Sequence, residues 1–331
     1  MTTISDVAKK ASVGLGTVSR VLSGKGSVSE ETRKRVLKAM KDLNYRPNSV
    51  ARSLATRRTN SIGLVVPEFQ GRYFGRLIAA AQMEMRADEK HVIVANGSGK
   101  GEEEVAAIEF LRDRECDGLI LYSIEMSDKE ILDLLQNFPK TVLINRVIKG
   151  YTKNCFMLDH RYGGALAARC LLDAGHEKIA CITGPKVKED ARLRQAGFES
   201  ELKKAGIDKK KLVRIEGDFN YASGAICTEQ LLKSGEKITA LFCGNDEMAV
   251  GALFKLHEMG VRVPDDISLI GYDNAALSEH TYPKLTTISN PVEEITINAS
   301  RFMRNLCYEQ KNPVTNKFKP NLIVRETISS I

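Results

Sequence analysis

Thr3-Ile4-Ser5-Asp6-Val7-Ala8-Lys9-Lys10-Ala11-Ser12-Val13-Gly14-Leu15-Gly16-Thr17-Val18-Ser19-Arg20-Val21-Leu22 reads as two short helices joined by a tight turn. Thr3 and Asp6 stand at capping-box spacing, so hydroxyl and carboxylate satisfy early amides of a helix running to about Ala11. Ser12-Val13-Gly14 is the turn, and a second helix over about 15–22 sets Val18, Val21 and Leu22 on one face. Ser23-Gly24-Lys25-Gly26 breaks it. Ser29 caps a third helix, about 30–44, whose Val36, Ala39, Met40 and Leu43 close a small core, while Ala8 and Ala11 let the first two helices cross closely. This is a helix-turn-helix unit.

Charge agrees with that reading. Residues 1–60 hold thirteen Lys or Arg against four acids, a net of +9, whereas the whole 331-residue chain carries only +7. A basic head on a near-neutral body implies a polyanionic partner for the head. At 43% apolar and 27% charged residues the composition is that of a globular protein. No run reaches the ~18 apolar residues of a membrane span, and no secretory signal opens the chain, so a cytoplasmic protein is expected. Seven scattered cysteines without Cys-x-x-Cys read as reduced core thiols, and the five histidines lack metal-ligand spacing; neither metal nor cofactor is expected.

Beyond residue 60 short apolar runs alternate with helical stretches. The runs include 62–66, 92–95, 118–121, 142–144, 179–182, 213–215, 241–243 and 267–270, with weaker ones at 156–158 and 322–324; helices are expected over 162–175, 191–206, 222–234 and 246–259. Strands buried on both faces and joined by crossover helices make parallel, doubly wound sheets, and the runs are too many for one. An α/β core of two lobes follows.

Asp6-Val7-Ala8, Ala11, Val13 and Thr17-Val18-Ser19-Arg20-Val21-Leu22 resemble the head of the LacI/GalR family of bacterial transcription regulators, and 45–55, Tyr45-Arg46-Pro47-Asn48-Ser49-Val50-Ala51-Arg52-Ser53-Leu54-Ala55, resembles its hinge helix. The likeness continues through Ile182-Thr183-Gly184-Pro185, Arg194-Gln195-Ala196-Gly197-Phe198, Gly244-Asn245-Asp246-Glu247-Met248-Ala249 and Val263 to Asp273. It implies a helix-turn-helix domain over 1–46, a hinge over 47–60, and a periplasmic-binding-protein-like (type I) core over 61–331. Lobe 1 would take about 61–160 and 291–320, and lobe 2 about 161–290 and 321–331. The resemblance implies a homodimeric, effector-controlled repressor on a palindromic operator in duplex DNA. The end of the chain lacks the leucine heptads that make some relatives tetramers.

For the head, the amino end of the second helix is expected in the major groove. Leu15, Gly16 and Arg20 would meet base edges, and Thr17 and Ser19 would reach phosphates; Arg20 serves equally as a phosphate contact. Residues 47–55 are too few for a stable isolated helix, so two copies would pair over a minor groove with Leu54 as wedge and Arg52 near the backbone. Thr3, Asn48, Ala51 and Ala55 complete the implied DNA-contacting set. Gly14 stands where the family usually places a Ser cap, and Gly16 offers a base no side chain.

Ligands of open parallel sheets bind past the carboxyl ends of strands. The resemblance puts Tyr73, Phe74, Arg194, Phe219, Asn245, Asp246 and Asp273 there, and Asn145 joins them from its place at a strand end. Asp273 and Arg194 can accept from and donate to adjacent sugar hydroxyls, and Phe74 or Phe219 can cover an apolar ring face. Asp246 serves equally as a helix cap. A sugar or sugar phosphate is the expected effector. Alternatives are a purine, from whose pattern Lys188 and Asp190 depart, and a global carbon-catabolite role with a phosphoprotein coregulator.

An enzyme reading finds little footing. Gly97-Ser98-Gly99-Lys100-Gly101 lacks the spacing and hydroxyl of a phosphate loop, and no Gly-x-Ser-x-Gly elbow occurs. A solute-binding protein for transport would share the core and lack the basic head.

Overall fold

The computed structural model describes residues 2–23, 27–45, 58–207 and 212–331. It divides into two compact units, Met1–Thr59 and Asn60–Ile331.

The first unit is three helices, α1 (Ile4–Ala11), α2 (Leu15–Ser23) and α3 (Glu30–Asp42). Thr3 and Asp6 form the capping box at the start of α1, and Ser12 ends it in the left-handed conformation. Ser29 caps α3 by accepting from the Thr32 amide. The third helix stops two residues short of the expected end because Asn44 turns left-handed, at φ 46°, and the Tyr45 amide returns to the Met40 carbonyl. Val7, Ala8, Ala11, Val18, Val21, Val36 and Ala39 are buried together.

The second unit holds two six-stranded sheets. In chain order, lobe 1 begins β1 (Ser61–Val66), α4 (Arg72–Arg86), β2 (His91–Asn96), α5 (Gly101–Asp113), β3 (Gly118–Leu121), α6 (Asp128–Asn137), β4 (Thr141–Ile144) and β5 (Cys155–Leu158). The chain then builds lobe 2 from α7 (His160–Asp173), β6 (Ile179–Thr183), α8 (Glu189–Lys204), β7 (Val213–Glu216), α9 (Tyr221–Lys233), β8 (Ala240–Cys243), α10 (Asp246–Glu258), β9 (Ser268–Asp273) and β10 (Thr286–Ser289). It returns with α11 (Val292–Tyr308), which packs on α4, and β11 (Lys317–Phe318), then recrosses to β12 (Leu322–Ile323). The sheet orders are β11-β5-β4-β3-β1-β2 and β12-β10-β9-β8-β6-β7, parallel throughout except for β10 against β12. The core is therefore two doubly wound lobes of periplasmic-binding-protein-like type.

Alternation along the central strands shows why the runs read as continuously apolar. In β1, Ile62, Leu64 and Val66 join one core and Val65 the other; in β6, Ile179 and Cys181 face one layer while Ala180 and Ile182 face the opposite one. Helices α7 and α8 approach through Gly164 and Gly197, where a Cβ would strike the Arg194 and Arg161 carbonyls respectively. Arg194, in the second turn of α8, stands beside that close crossing and lines the gap between the lobes. The strand at 286–289 was not among the expected runs, because its threonines interrupt the apolar signal. All seven cysteines are free. Among the described residues no helix is long and apolar enough to cross a membrane, and no His, Cys, Asp or Glu cluster is fit for a metal ion.

Candidate functional site

In the head, burying Val18 and Val21 turns the other face of α2 to solvent. Leu15, Gly16, Ser19 and Arg20 are exposed and Thr17 half-buried. The Gly14 carbonyl takes the Thr17 and Val18 amides at 2.9 and 3.3 Å, so a residue without a side-chain cap still starts the helix. Arg20 Nε donates to the Gly16 carbonyl at 3.2 Å, laying the guanidinium along the exposed face. The Thr3 hydroxyl is engaged in the capping box, donating to Asp6 Oδ2 at 2.8 Å. Asn48, Ala51, Arg52, Leu54 and Ala55 lie outside the described residues.

Between the lobes a cavity of about 780 Å³, mouth included, is lined by seven of the eight expected effector residues. Tyr73 and Phe74 come from the first turn of α4, Phe219 from the turn after β7, Asn245 and Asp246 from the start of α10, and Asp273 from the end of β9. Arg194 is 4% exposed. Its Nη2 stands 3.2 Å from Asp190 Oδ2 and 3.3 Å from Asp273 Oδ1, and its Nη1 donates to the Gly244 carbonyl at 2.6 Å. The guanidinium also lies over the Tyr272 ring, 4.0 Å from its centre.

Burial opposes charge on Arg194, but Asp273 and Asp190 outweigh it and its pKa is raised. The two carboxyls part company. Burial holds Asp273 above the usual range despite Arg194, whereas at Asp190 the pull of Arg194 overcomes burial and lowers it. Burial likewise pushes the Tyr73, Tyr122 and Tyr272 phenols up, so all three remain hydroxyl donors. Tyr73, Phe74 and Tyr122 pack edge to face with ring centres 5.1 to 6.2 Å apart and form an aromatic wall.

Phe219 at φ 70° and Asp273 at φ 108° hold left-handed backbone that side chains rarely adopt, a strain of roughly 1–3 kcal/mol each. Phe219 also depends on Gly184, since a Cβ there would run into its ring. Asn245 caps α10 by accepting from the Met248 amide at 3.0 Å and donates to the Phe219 carbonyl at 2.8 Å. Asp246 is not the cap. It is buried, accepting from the Ala275 amide and the Thr287 hydroxyl at 2.7 and 2.6 Å.

Asn145 is placed differently from the other seven. It lines an adjoining outer cleft that shares Tyr122, Lys188 and Asp190 with the inner cavity. Its side chain is held between Tyr122 and His160. Tyr122, one residue beyond β3, and His160, two residues beyond β5, are not among the expected residues. Both stand just past the carboxyl end of a strand, the position that singled out Asn145.

Residues 3–48 match the family of bacterial regulatory proteins, lacI family, and residues 168–328 match the periplasmic binding protein-like domain. The HTH-type transcriptional regulator AscG of Escherichia coli K12 is 38% identical over 89% of each chain. The lac repressor dimer bound to operator and the anti-inducer ONPF is 29% identical, with a TM-score of 0.89 over 99% of each chain. The transcriptional regulator CelR in complex with cellobiose is 30% identical, with a TM-score of 0.70 over 99% of this chain and 100% of that one. With head and core both matched, in one chain and in this order, the protein belongs to the LacI family of bacterial transcriptional regulators.

Proposed function

We propose that this regulator is a homodimeric repressor whose grip on a palindromic operator is set by an uncharged sugar bound between its lobes. The observation that carries the effector class is Arg194 held between Asp190 and Asp273 and facing an aromatic wall. Fixed donors and acceptors side by side suit vicinal hydroxyls, and Phe74, Tyr73 or Phe219 suits the C–H face of a pyranose. The lining sets Arg72, Arg76, Lys188 and Arg194 against Glu68, Asp190, Glu247 and Asp273, with Arg76 further paired to Glu293, while burial pushes the Asp246 carboxyl well above the usual range. With no surplus of positive charge, a neutral sugar is favoured over a sugar phosphate. CelR in its cellobiose complex, and the lac repressor dimer on operator, are the relatives that support the ligand class and the assembly.

In the mechanism, the sugar favours one angle between the lobes, and that angle sets the separation of two hinge segments at 47–55. Leu54 of each copy enters the minor groove only when the two heads can reach both half-sites. Apolar side chains left on lobe 2, Phe254 at 52% and Tyr282 at 96% exposure, suit coverage by a second copy.

The experiment is thermal melting with glucose, galactose, ribose, cellobiose and glucose 6-phosphate. A neutral sugar at 100 times its Kd should stabilise the core by about 2.7 kcal/mol. A shift from the phosphorylated sugar alone, or from none of the five, overturns this effector class.

A further inference from the structure

His160 begins α7, where the chain passes from lobe 1 to lobe 2, and is 2% exposed. Its ring touches both lobes. On the lobe 2 side, Nδ1 lies 3.4 Å from Arg194 Nε and 3.2 Å from the Tyr272 hydroxyl. On the lobe 1 side, Nε2 lies 2.7 Å from Asn145 Oδ1, and Asn145 Nδ2 donates to the Tyr122 hydroxyl at 2.7 Å. Tyr122 and Arg194 both line the ligand cavity.

The chemistry fixes the direction of this chain. An arginine Nε–H only donates, so Nδ1 must be the bare nitrogen and Nε2 must carry the proton. Asn145 therefore presents its oxygen to His160 and its amide nitrogen to Tyr122, and the Tyr122 hydroxyl proton is directed onward. Asn145 holds this position from a left-handed backbone, φ 64°, a conformation that asparagine tolerates better than most side chains.

We infer that His160 is a positioning residue that joins Arg194 of one lobe to Tyr122 of the other through a one-way relay of hydrogen bonds, so that orienting the sugar-binding guanidinium and closing the lobes are one event. The inference deepens the sugar reading and rests on it for its ligand. A neutral imidazole is required throughout. Burial, with Arg194 adding repulsion and Asp190 opposing, holds its pKa down to about 3. The charged or titratable groups around the ring are Arg194, Tyr272 and, through Arg194, Asp190 and Asp273.

The test compares His160→Leu, which keeps the volume and deletes the relay, with His160→Gln, whose amide offers both an acceptor and a donor. The probe is whichever of the five sugars shifts the melting of the wild type. Leu should weaken that sugar at least tenfold with sugar-free operator affinity retained, and Gln should recover to within about threefold. Sugar affinity within twofold of wild type in the Leu variant overturns the relay. Should no sugar bind the wild type, the effector class has failed, and the relay is judged by nitrogen-15 NMR of the histidine rings in full-length protein. His160 as the neutral Nε2–H tautomer at pH 5.5, perturbed by Asn145→Ala, supports it; a ring titrating near its ordinary pKa, or protonated on Nδ1, overturns it. The same spectrum covers a Leu variant that does not fold.

Discussion

Asp273 Oδ1 and Arg194 Nη2 stand 3.3 Å apart across two elements of the same lobe, the end of β9 and the second turn of α8, with Arg194 buried and Asp273 half-buried. Asp273 reaches that position from a backbone at φ 108°, and its other neighbour is Asn290, whose amide donates to it at 3.1 Å. Asp190 also pairs with Arg194, so Asp273 is a second carboxyl on one guanidinium and sets an acceptor beside a donor on the cavity wall.

Asp273→Ala should therefore abolish the melting shift produced by sugar while operator affinity without sugar stays within about threefold of wild type. Asp190 keeps Arg194 from being an unpaired buried charge, so the fold survives. A normal sugar response in this variant removes Asp273 from the site.

Gly184→Ala tests the wall formed by Phe219. A methyl group on Gly184 collides with the ring, which must leave its left-handed perch. We expect sugar affinity to fall about tenfold or more, with core stability reduced by about 1–3 kcal/mol for the overpacking. Calorimetric titration reads the first and urea unfolding the second; unchanged affinity means Phe219 does not bear on the ligand.

Acid should weaken the core through His160. Its pKa is about 3 folded and about 6.5 unfolded, so the unfolded chain takes up the extra proton. The stabilisation is complete above pH ~6.5 and is lost as pH falls toward 3; at pH 5 the loss is about 2 kcal/mol. His176, buried against Thr239 and Ser329, is also lowered by burial and acts in the same sense. Urea unfolding at pH 7 and pH 5 should show a shallower fall for His160→Gln than for wild type. Parallel falls contradict a buried neutral ring.

Gly16→Ala should stabilise the head by up to about 1 kcal/mol, since the residue is helical and a Cβ there meets nothing within 4 Å. Base preference at the operator should change while the salt dependence of binding does not, because no phosphate contact is altered. A changed salt slope would place Gly16 at the phosphate backbone instead.

The fold was legible where burial leaves a continuous mark. Ile62-Gly63-Leu64-Val65-Val66 and Ile179-Ala180-Cys181-Ile182 are buried on both faces, and an unbroken apolar run can say so. Thr286-Thr287-Ile288 is just as buried, yet its hydroxyls are satisfied inside the lobe, as Thr287 is by Asp246, so hydropathy does not reveal it. In the site, Arg194 and Asp273 stood out because their motifs carried them. His160 and Tyr122 did not: their parts are set by neighbours distant in sequence, Arg194 and Tyr272 for the one and Asn145 for the other. Asp246 illustrates the converse, a residue whose position after a strand marked it for ligand or cap and whose carboxylate is committed to Ala275 and Thr287.

A basic head that grips duplex DNA and a sugar in the core that sets that grip must show themselves together in one binding experiment. The measurement is operator affinity of the full-length protein, on duplexes selected from random sequence, across a salt series with and without the sugar that raises its melting temperature. We expect selection of a palindrome, affinity that falls steeply with salt, and a change of at least fivefold on adding sugar. Tight binding to a palindrome that no bound sugar alters would contradict this expectation.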